Sequence, residues 1–128
     1  MKIEHFAWMM PDPVAAADWY CKNLGLRVVR KSDGYPWGYF LLDTSGSVMA
    51  EIYKRKEAPV PDYNTIDPLV LHLALLTDDV KGTIQKLVAA GAKVHADYSV
   101  TPDGDEIAML RDPWGFAIQL VKRGIQML

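Results

Sequence analysis

The sequence is poor in cysteine, in long apolar runs and in net charge. Its 128 residues include one cysteine, Cys21, so no disulfide can form within the chain, and a reducing, cytoplasmic setting is favoured. No apolar run approaches the roughly 18 residues that a membrane span needs. The formal net charge of −2 gives no reason to expect nucleic acid or a membrane surface as a partner. These absences argue against a disulfide scaffold, a membrane protein and a nucleic-acid binder.

Apolar residues, by contrast, make up half of the chain, which is enough for the hydrophobic core of one domain. Runs rich in aromatic and branched residues predict strands, and two segments flanked by Asp and Gly predict helices. The predicted strands are 2–10, 26–31, 37–43, 47–54, 69–76, 92–99, 105–112 and 115–122, and the predicted helices are 12–25 and 78–91. A segment with three prolines, 55–68, is predicted to be a linker.

The two halves of the chain repeat one order, namely strand, helix and three strands. When His5 is paired with His72, Asp12 follows His5 by 7 residues and Asp79 follows His72 by 7. Glu51 then follows His5 by 46 residues, and Gln119 follows His72 by 47. An internal repeat of this length indicates two copies of one folding module. The amide of Gln119 therefore stands where the first half has a carboxylate.

Strand alternation gives these four polar residues a common setting. Side chains on a strand point to opposite faces in turn, so each polar residue shares its face with the residues two positions away. Three of the four have an alanine there, which leaves room beside a ligand: Ala7, Ala74 and Ala117. The opposite faces are strongly apolar and suited to a core.

Four stretches carry a resemblance to a known family: IEHFAWMMPDPVAAADWYCKNLGLRVV, AEIY, LHLALLTDDVKGTIQKLVAAGA and LRDPWGFAIQLV. With its strand histidine and a helix that ends at Leu-Gly, the chain resembles the vicinal oxygen chelate superfamily over residues 1 to about 123. That superfamily includes glyoxalase I, methylmalonyl-CoA epimerase, extradiol dioxygenases, and bleomycin and fosfomycin resistance proteins.

The resemblance implies an α+β fold of two βαβββ modules, whose strands form an open, curled mixed sheet around a concave site. The chain is then a single glyoxalase-like domain, 1–128. Module one covers about 1–54, the linker about 55–68 and module two about 69–123. Small members of the family commonly form dimers, so a homodimer is expected, with the site formed either within one chain or across two.

The family's metal ligands come from the first and last strand of each module. Carried over to this sequence, those positions are His5, Glu51, His72 and Gln119. Imidazole and carboxylate bind zinc, nickel, iron(II) or manganese, so the expected cofactor is a divalent metal. A lone strand histidine is more often structural, but two at equivalent positions favour metal binding. Two interpretations of Gln119 stay open: a neutral ligand through its carbonyl, or an amide that only hydrogen-bonds nearby.

Gln119 also bears on the reaction. Glyoxalase-like enzymes usually have a glutamate there that acts as ligand and base, and a glutamine cannot take up a proton. Glu51 is then the remaining candidate base, for a metal-dependent lyase or isomerase acting on a small oxygen-chelating hydroxy-carbonyl substrate. One alternative is an iron-dependent ring-cleaving dioxygenase, which is less favoured because the carboxylate ligand of those enzymes comes from the last strand of the second module. The other is a non-catalytic small-molecule binding or resistance protein, with a groove lined by Tyr35, Trp37, Tyr39 and Tyr53.

Overall fold

The computed structural model describes residues 1–127, which divide between Pro61 and Asp62 into two compact units. The division lies inside the segment predicted as a linker, so residues 62–68 belong to the second unit. That these units together make one domain stays a prediction. Neither helix within 1–127 has the length and apolar character needed to cross a membrane.

The first unit contains one helix and one four-stranded sheet. Its elements are β1 (Phe6–Met9), α1 (Pro13–Leu24), β2 (Arg27–Lys31), β3 (Tyr39–Leu42) and β4 (Met49–Tyr53). The strand order is β1-β4-β3-β2, with β1 parallel to β4 and the other pairs antiparallel.

The second unit repeats this arrangement after one turn of 3-10 helix at Tyr63–Thr65. Its elements are β5 (Leu73–Leu76), α2 (Val80–Ala89), β6 (Lys93–Val100), β7 (Glu106–Arg111) and β8 (Ala117–Lys122). The strand order is β5-β8-β7-β6, with β5 parallel to β8. The predicted α+β class and the βαβββ repeat are thus confirmed.

Each sheet is buried on the face that its helix covers. In the first unit, the fully buried side chains include Met10, Tyr20, Leu41 and Ile52. In the second unit, they include Leu87, Leu110, Phe116, Ile118 and Leu120. Burial of such side chains is the main favourable contribution to folding, at about 1.5–3 kcal/mol each. It also fixes which residues of β4 and β8 point away from the helix.

The turn between β7 and β8 fixes the register of the last strand. The buried carboxylate of Asp112 accepts hydrogen bonds from the backbone N–H groups of Trp114 and Phe116, each at 2.9 Å. Gly115 has φ +89, a left-handed conformation that favours glycine. Pairing of the two strands then starts at Arg111 and Ala117. This turn therefore determines the face on which the following residues of β8 lie.

An aspartate caps the start of each helix: Asp12, as predicted, and its counterpart in the repeat, Asp79. Asp12 accepts a hydrogen bond from the N–H of Ala15 at 3.0 Å, and Asp79 accepts one from the N–H of Gly82 at 2.9 Å. The α1 helix ends at Leu24, and the next residue, Gly25, caps it with φ +74. These side-chain bonds satisfy backbone donors that have no partner inside the helix.

The residue that donates to the capping aspartate is Ala15 in α1 and Gly82 in α2, a difference of one methyl group. Gly82→Ala therefore tests whether the two caps are equivalent. A Cβ at Gly82 would meet the Asp79 carboxylate, but α1 has Ala15 at the matching position and retains its cap. The Asp79 carboxylate is therefore expected to rotate, and the free energy of unfolding should rise by about 1 kcal/mol, since alanine favours helix over glycine. Urea denaturation measures it, and the matched variant Ala15→Gly should lose a similar amount. A loss of stability in Gly82→Ala would contradict the equivalence of the two caps.

Candidate functional site

Strand pairing in the first unit brings together two of the predicted site residues. Glu51 on β4 lies between Ala7 on β1 and Phe40 on β3. His5 precedes Ala7 by two residues, and its ring contacts Phe40 edge to face, with 5.4 Å between the centroids. Its Nε2 lies 3.4 Å from Glu51 Oε2. We call His5 and Glu51 the first half-site.

The strand predicted over 2–10 is shorter in the structure, and His5 lies one residue before β1 rather than on it. The physical reason is that pairing with β4 starts only at Phe6, opposite Ala50. The placement of His5 on a strand was therefore wrong, although its approach to Glu51 does not depend on it.

Two carboxylates flank the imidazole of His5. Nδ1 is bonded to the carboxylate of Glu4, and Nε2 faces the carboxylate of Glu51. The hydrogen bond to Glu4 raises the pKa of His5 above its ordinary value; burial opposes this effect, and the negative charges of Glu4 and Glu51 add to it. The space between Nε2 and Glu51 is consequently one that a proton or a metal ion can occupy.

A glycine keeps the side of Glu51 open. Gly38 is buried, and a Cβ added there would lie 3.6 Å from Glu51 Oε1 and 4.0 Å from the Cβ of Tyr53. A larger side chain at Gly38 would therefore fill the space beside the carboxylate. Ala7, on the neighbouring strand β1, is also small.

Strand pairing in the second unit builds the corresponding arrangement. Gln119 on β8 lies between Ala74 on β5 and Met109 on β7. His72 precedes Ala74 by two residues, as His5 precedes Ala7. We call His72 and Gln119 the second half-site. The predicted equivalence of Glu51 and Gln119 is thus matched by the register of the parallel strand pairs.

His72 also lies one residue before its strand, because β5 begins at Leu73 and not at residue 69. A turn precedes it, in which the N–H of Val70 donates to the carbonyl of Asp67 at 2.9 Å. A chain engaged in this turn cannot start the strand at residue 69, so the predicted strand placement of His72 was wrong. Its ring Nδ1 lies 2.6 Å from the carbonyl oxygen of Pro68.

The contact with Pro68 decides the form of the His72 ring. A carbonyl oxygen only accepts hydrogen bonds, so Nδ1 must carry the proton and donate it. In the neutral imidazole, Nε2 then has a free lone pair, which is the form that binds a metal. Gln119 is half-buried, and within the described part of the second unit its side chain has no hydrogen-bond partner.

The donor set of each half-site is small. Neither unit, within residues 1–127, gathers three or more His, Cys, Asp or Glu side chains that could hold a metal ion. The first half-site offers an imidazole and a carboxylate, and the second offers an imidazole and an amide oxygen.

Sequence reasoning missed the partners of the two Nδ1 atoms, Glu4 and Pro68. The position of Glu4 next to His5 was the only available signal.

Of the four aromatic residues predicted to line a groove, the structure brings two together at the surface. Tyr35 and Trp37 are exposed and contact edge to face, with centroids 5.5 Å apart. The Tyr35 hydroxyl donates to Glu57 at 2.9 Å. Trp37 has φ +51, an uncommon conformation for a large side chain. Tyr39 and Tyr53 are half-buried.

Comparison with known proteins gives a family and a fold. The family model described as the Glyoxalase/Bleomycin resistance protein/Dioxygenase superfamily matches residues 2–120. No functionally curated protein matches the sequence significantly.

Several solved structures are similar to this chain. A glyoxalase family protein from Bacillus cereus has a TM-score of 0.81 at 12% identity, over 96% of this chain and 94% of that one. TnmS3, an antibiotic binding protein from a Streptomyces species, has a TM-score of 0.74 at 21% identity, over 97% of both chains. A glyoxalase I variant from Zea mays has a TM-score of 0.76 at 22% identity, over 97% of this chain and 46% of that one. At these identities the likeness establishes the fold alone.

Proposed function

The chain belongs to the glyoxalase/bleomycin resistance protein/dioxygenase superfamily, and from this premise we propose a divalent-metal-dependent lyase or isomerase. Its substrate is a small hydroxy-carbonyl compound that chelates the metal through neighbouring oxygens. His5, Glu51 and His72 hold the metal, with the side-chain oxygen of Gln119 as a fourth, neutral ligand. Zinc, nickel, iron(II) and manganese all suit this donor set.

The observation that carries the proposal is the state of the two histidines. Each lies two residues before the alanine that pairs with Glu51 or Gln119. Each has its Nδ1 engaged, by a carboxylate in one half and a carbonyl in the other. Metal-binding histidines are usually held in this way, because the Nδ1 bond fixes the ring and directs Nε2 to the metal.

The charge of the donor set suits a Lewis acid. One carboxylate and three neutral ligands leave a divalent ion with a net charge of about +1. The bound ion would polarise the substrate carbonyl and stabilise negative charge that develops on its oxygens. The same low ligand charge predicts weaker metal retention than a site with two carboxylates.

Glu51 is the residue that moves the proton. With the Nε2 atoms of both histidines assigned to the metal and an amide that takes up no proton, its carboxylate is the group left to act as a base. It takes the proton from the carbon next to the carbonyl and returns it to the neighbouring atom in an isomerase. The small side chains of Ala7 and Gly38 leave space for the substrate beside it.

A second candidate function is the binding of a small molecule without chemistry. It is favoured by the exposed pair of Tyr35 and Trp37, whose rings could stack on a flat ligand. The similar fold of TnmS3, an antibiotic binding protein, is consistent with this use. An iron-dependent ring-cleaving dioxygenase is the third possibility, and the identity of the metal separates it from the lyase.

We also propose that the protein is a cytoplasmic homodimer. The single cysteine suits a reducing compartment. The chain has 128 residues and two modules, and small members of the family commonly form dimers. Sedimentation at micromolar concentration is expected to give twice the monomer mass of 14.4 kDa. A monomer alone at that concentration would refute the dimer.

Metal content tests the main proposal. The purified protein should contain nickel or zinc, and His5→Ala and His72→Ala should each lower zinc affinity by more than about 100-fold. Loss of a ligand exceeds the roughly 10–100-fold that loss of its hydrogen-bond partner costs. A chromophoric chelator in competition measures the affinity.

His95→Ala is the matched control, because His95 is exposed and has no counterpart in the repeat. It should bind zinc as the unaltered protein does. Iron as the bound metal would favour the dioxygenase, and no metal at all would favour the binding protein. Equal losses in all three histidine variants would rule out the assigned ligands.

The role of Gln119 is tested by Gln119→Glu, which changes the shape of the side chain little and adds one negative charge. If Gln119 binds the metal, the variant should bind zinc or nickel more tightly and melt at a higher temperature in its presence. With chelator, the new charge on a half-buried strand should cost about 1–3 kcal/mol of stability through desolvation. Thermal unfolding in both conditions measures the two effects.

The exposed Gln85 on α2 provides a charge control, since Gln85→Glu adds the same charge at an exposed helix position. It should change stability little, with or without metal. If Gln119→Glu is destabilised equally in both conditions, Gln119 does not bind the metal. The proposed ligands are then His5, Glu51 and His72 alone.

A further inference from the structure

We propose that Arg111 is a positioning residue that sets the orientation and tautomer of His72 through the chain segment 62–68. Its consequence for metal affinity rests on the function proposed above, whereas its effect on the His72 ring does not.

Arg111 holds three backbone carbonyls at once. It lies at the end of β7, and its guanidinium donates to the carbonyls of Tyr63, Ile66 and Gly115 at 2.6, 2.9 and 2.8 Å. Two of these belong to the segment 62–68 and the third to the turn before β8. A guanidinium presents its donors in a rigid, planar fork, so these bonds fix the segment against the turn.

Aromatic packing fixes the start of the same segment. Tyr63 and Phe116 are both buried, and their rings meet edge to face with centroids 4.9 Å apart. The carboxylate of Asp62 accepts from the N–H of Asn64 at 3.1 Å, which shapes the 3-10 turn. The chain therefore enters the segment in one direction.

A tight turn completes the link to the histidine. The side-chain carboxylate of Asp67 accepts a hydrogen bond from the N–H of Leu69 at 2.8 Å. The backbone carbonyl of Asp67 accepts one from the N–H of Val70 at 2.9 Å. Pro68, buried between them in sequence, has its φ fixed by the ring. Within this turn, the carbonyl oxygen of Pro68 lies 2.6 Å from Nδ1 of His72.

The first half of the chain shows that the fold does not require this arginine. Leu42, opposite Met49, occupies the position that Arg111, opposite Ala117, has in the second half. There the Nδ1 partner is the side chain of Glu4, and no carbonyl is involved. The βαβββ topology forms in both units, so the fold alone does not explain Arg111. We therefore assign it to the feature that only the second unit has, a backbone carbonyl bonded to the histidine ring.

The ring state of His72 can be observed in the metal-free protein by nitrogen-15 NMR, at a pH where the imidazole is neutral. The unaltered protein should show the tautomer with the proton on Nδ1. Arg111→Lys keeps the charge but lacks the planar fork that spans the three carbonyls, so it should shift His72 towards a mixture of tautomers. The signals of His5 and His95 should stay unchanged.

Two matched variants separate positioning from general damage. Arg123→Lys shortens an exposed arginine that pairs with Asp105, and it should leave the His72 tautomer as it is. Glu4→Gln should alter the signals of His5 but not those of His72. An unchanged His72 tautomer in a folded Arg111→Lys protein, or an equal change in Arg123→Lys, would overturn the proposal.

Zinc affinity gives the second measurement. Arg111→Lys should weaken zinc binding by about 10-fold, the lower end of the range for partners of metal ligands. In the His72→Ala background it should weaken binding no further, because the residue through which it acts is gone. A full 10-fold loss in that background would contradict a role through His72. If the unaltered protein binds no zinc, the proposed function fails, while the NMR measurement still decides the role of Arg111.

Discussion

The parallel pairing of the first and last strand of each unit is the interaction on which the candidate site depends. It sets Ala7 beside Glu51 and Ala74 beside Gln119, and so places the histidine two residues upstream along the same edge. A slip of one residue would turn the carboxylate or amide to the opposite face, under the helix, where it would lack a partner. The apolar residues that alternate with them, such as Ile52 and Ile118, make that slip costly because both are fully buried.

This pairing explains why much of the fold could be predicted from sequence. The spacing from histidine to last-strand residue is nearly equal in the two halves, and the capping aspartates mark both helix starts. The beginnings of β1 and β5 could not be predicted, because alternation shows which faces are apolar but not where backbone pairing starts. The apolar residues before His72 look like a strand, yet the Asp67–Val70 hydrogen bond holds them in a turn.

The parts of the candidate site that sequence could not show are backbone groups and contacts between distant residues. A carbonyl such as that of Pro68 leaves no mark in composition, because every residue has one. The bond from Arg111 to Tyr63 joins residues that are 48 apart in the chain. Within the second unit this bond connects the end of β7 to the segment before β5. It can form only after the strands have paired, so the sequence alone does not predict it.

The two half-sites share one backbone register but hold their histidines by different physical means. The first concentrates negative charge, since Glu4 and Glu51 flank a single imidazole and favour any cation near it. The second has no charged donor, and it instead orients its imidazole through the carbonyl of Pro68, in a segment whose neighbouring carbonyl of Ile66 is bonded by Arg111. The charge of Glu4 attracts cations at long range, but its exposed side chain has several rotamers to choose from. The backbone carbonyl of Pro68 attracts a cation little, but it holds the imidazole ring of His72 in one direction. An amide at position 119 suits the second type of half-site, because its oxygen can bind a cation without adding a charge that the buried strand around it would have to accommodate.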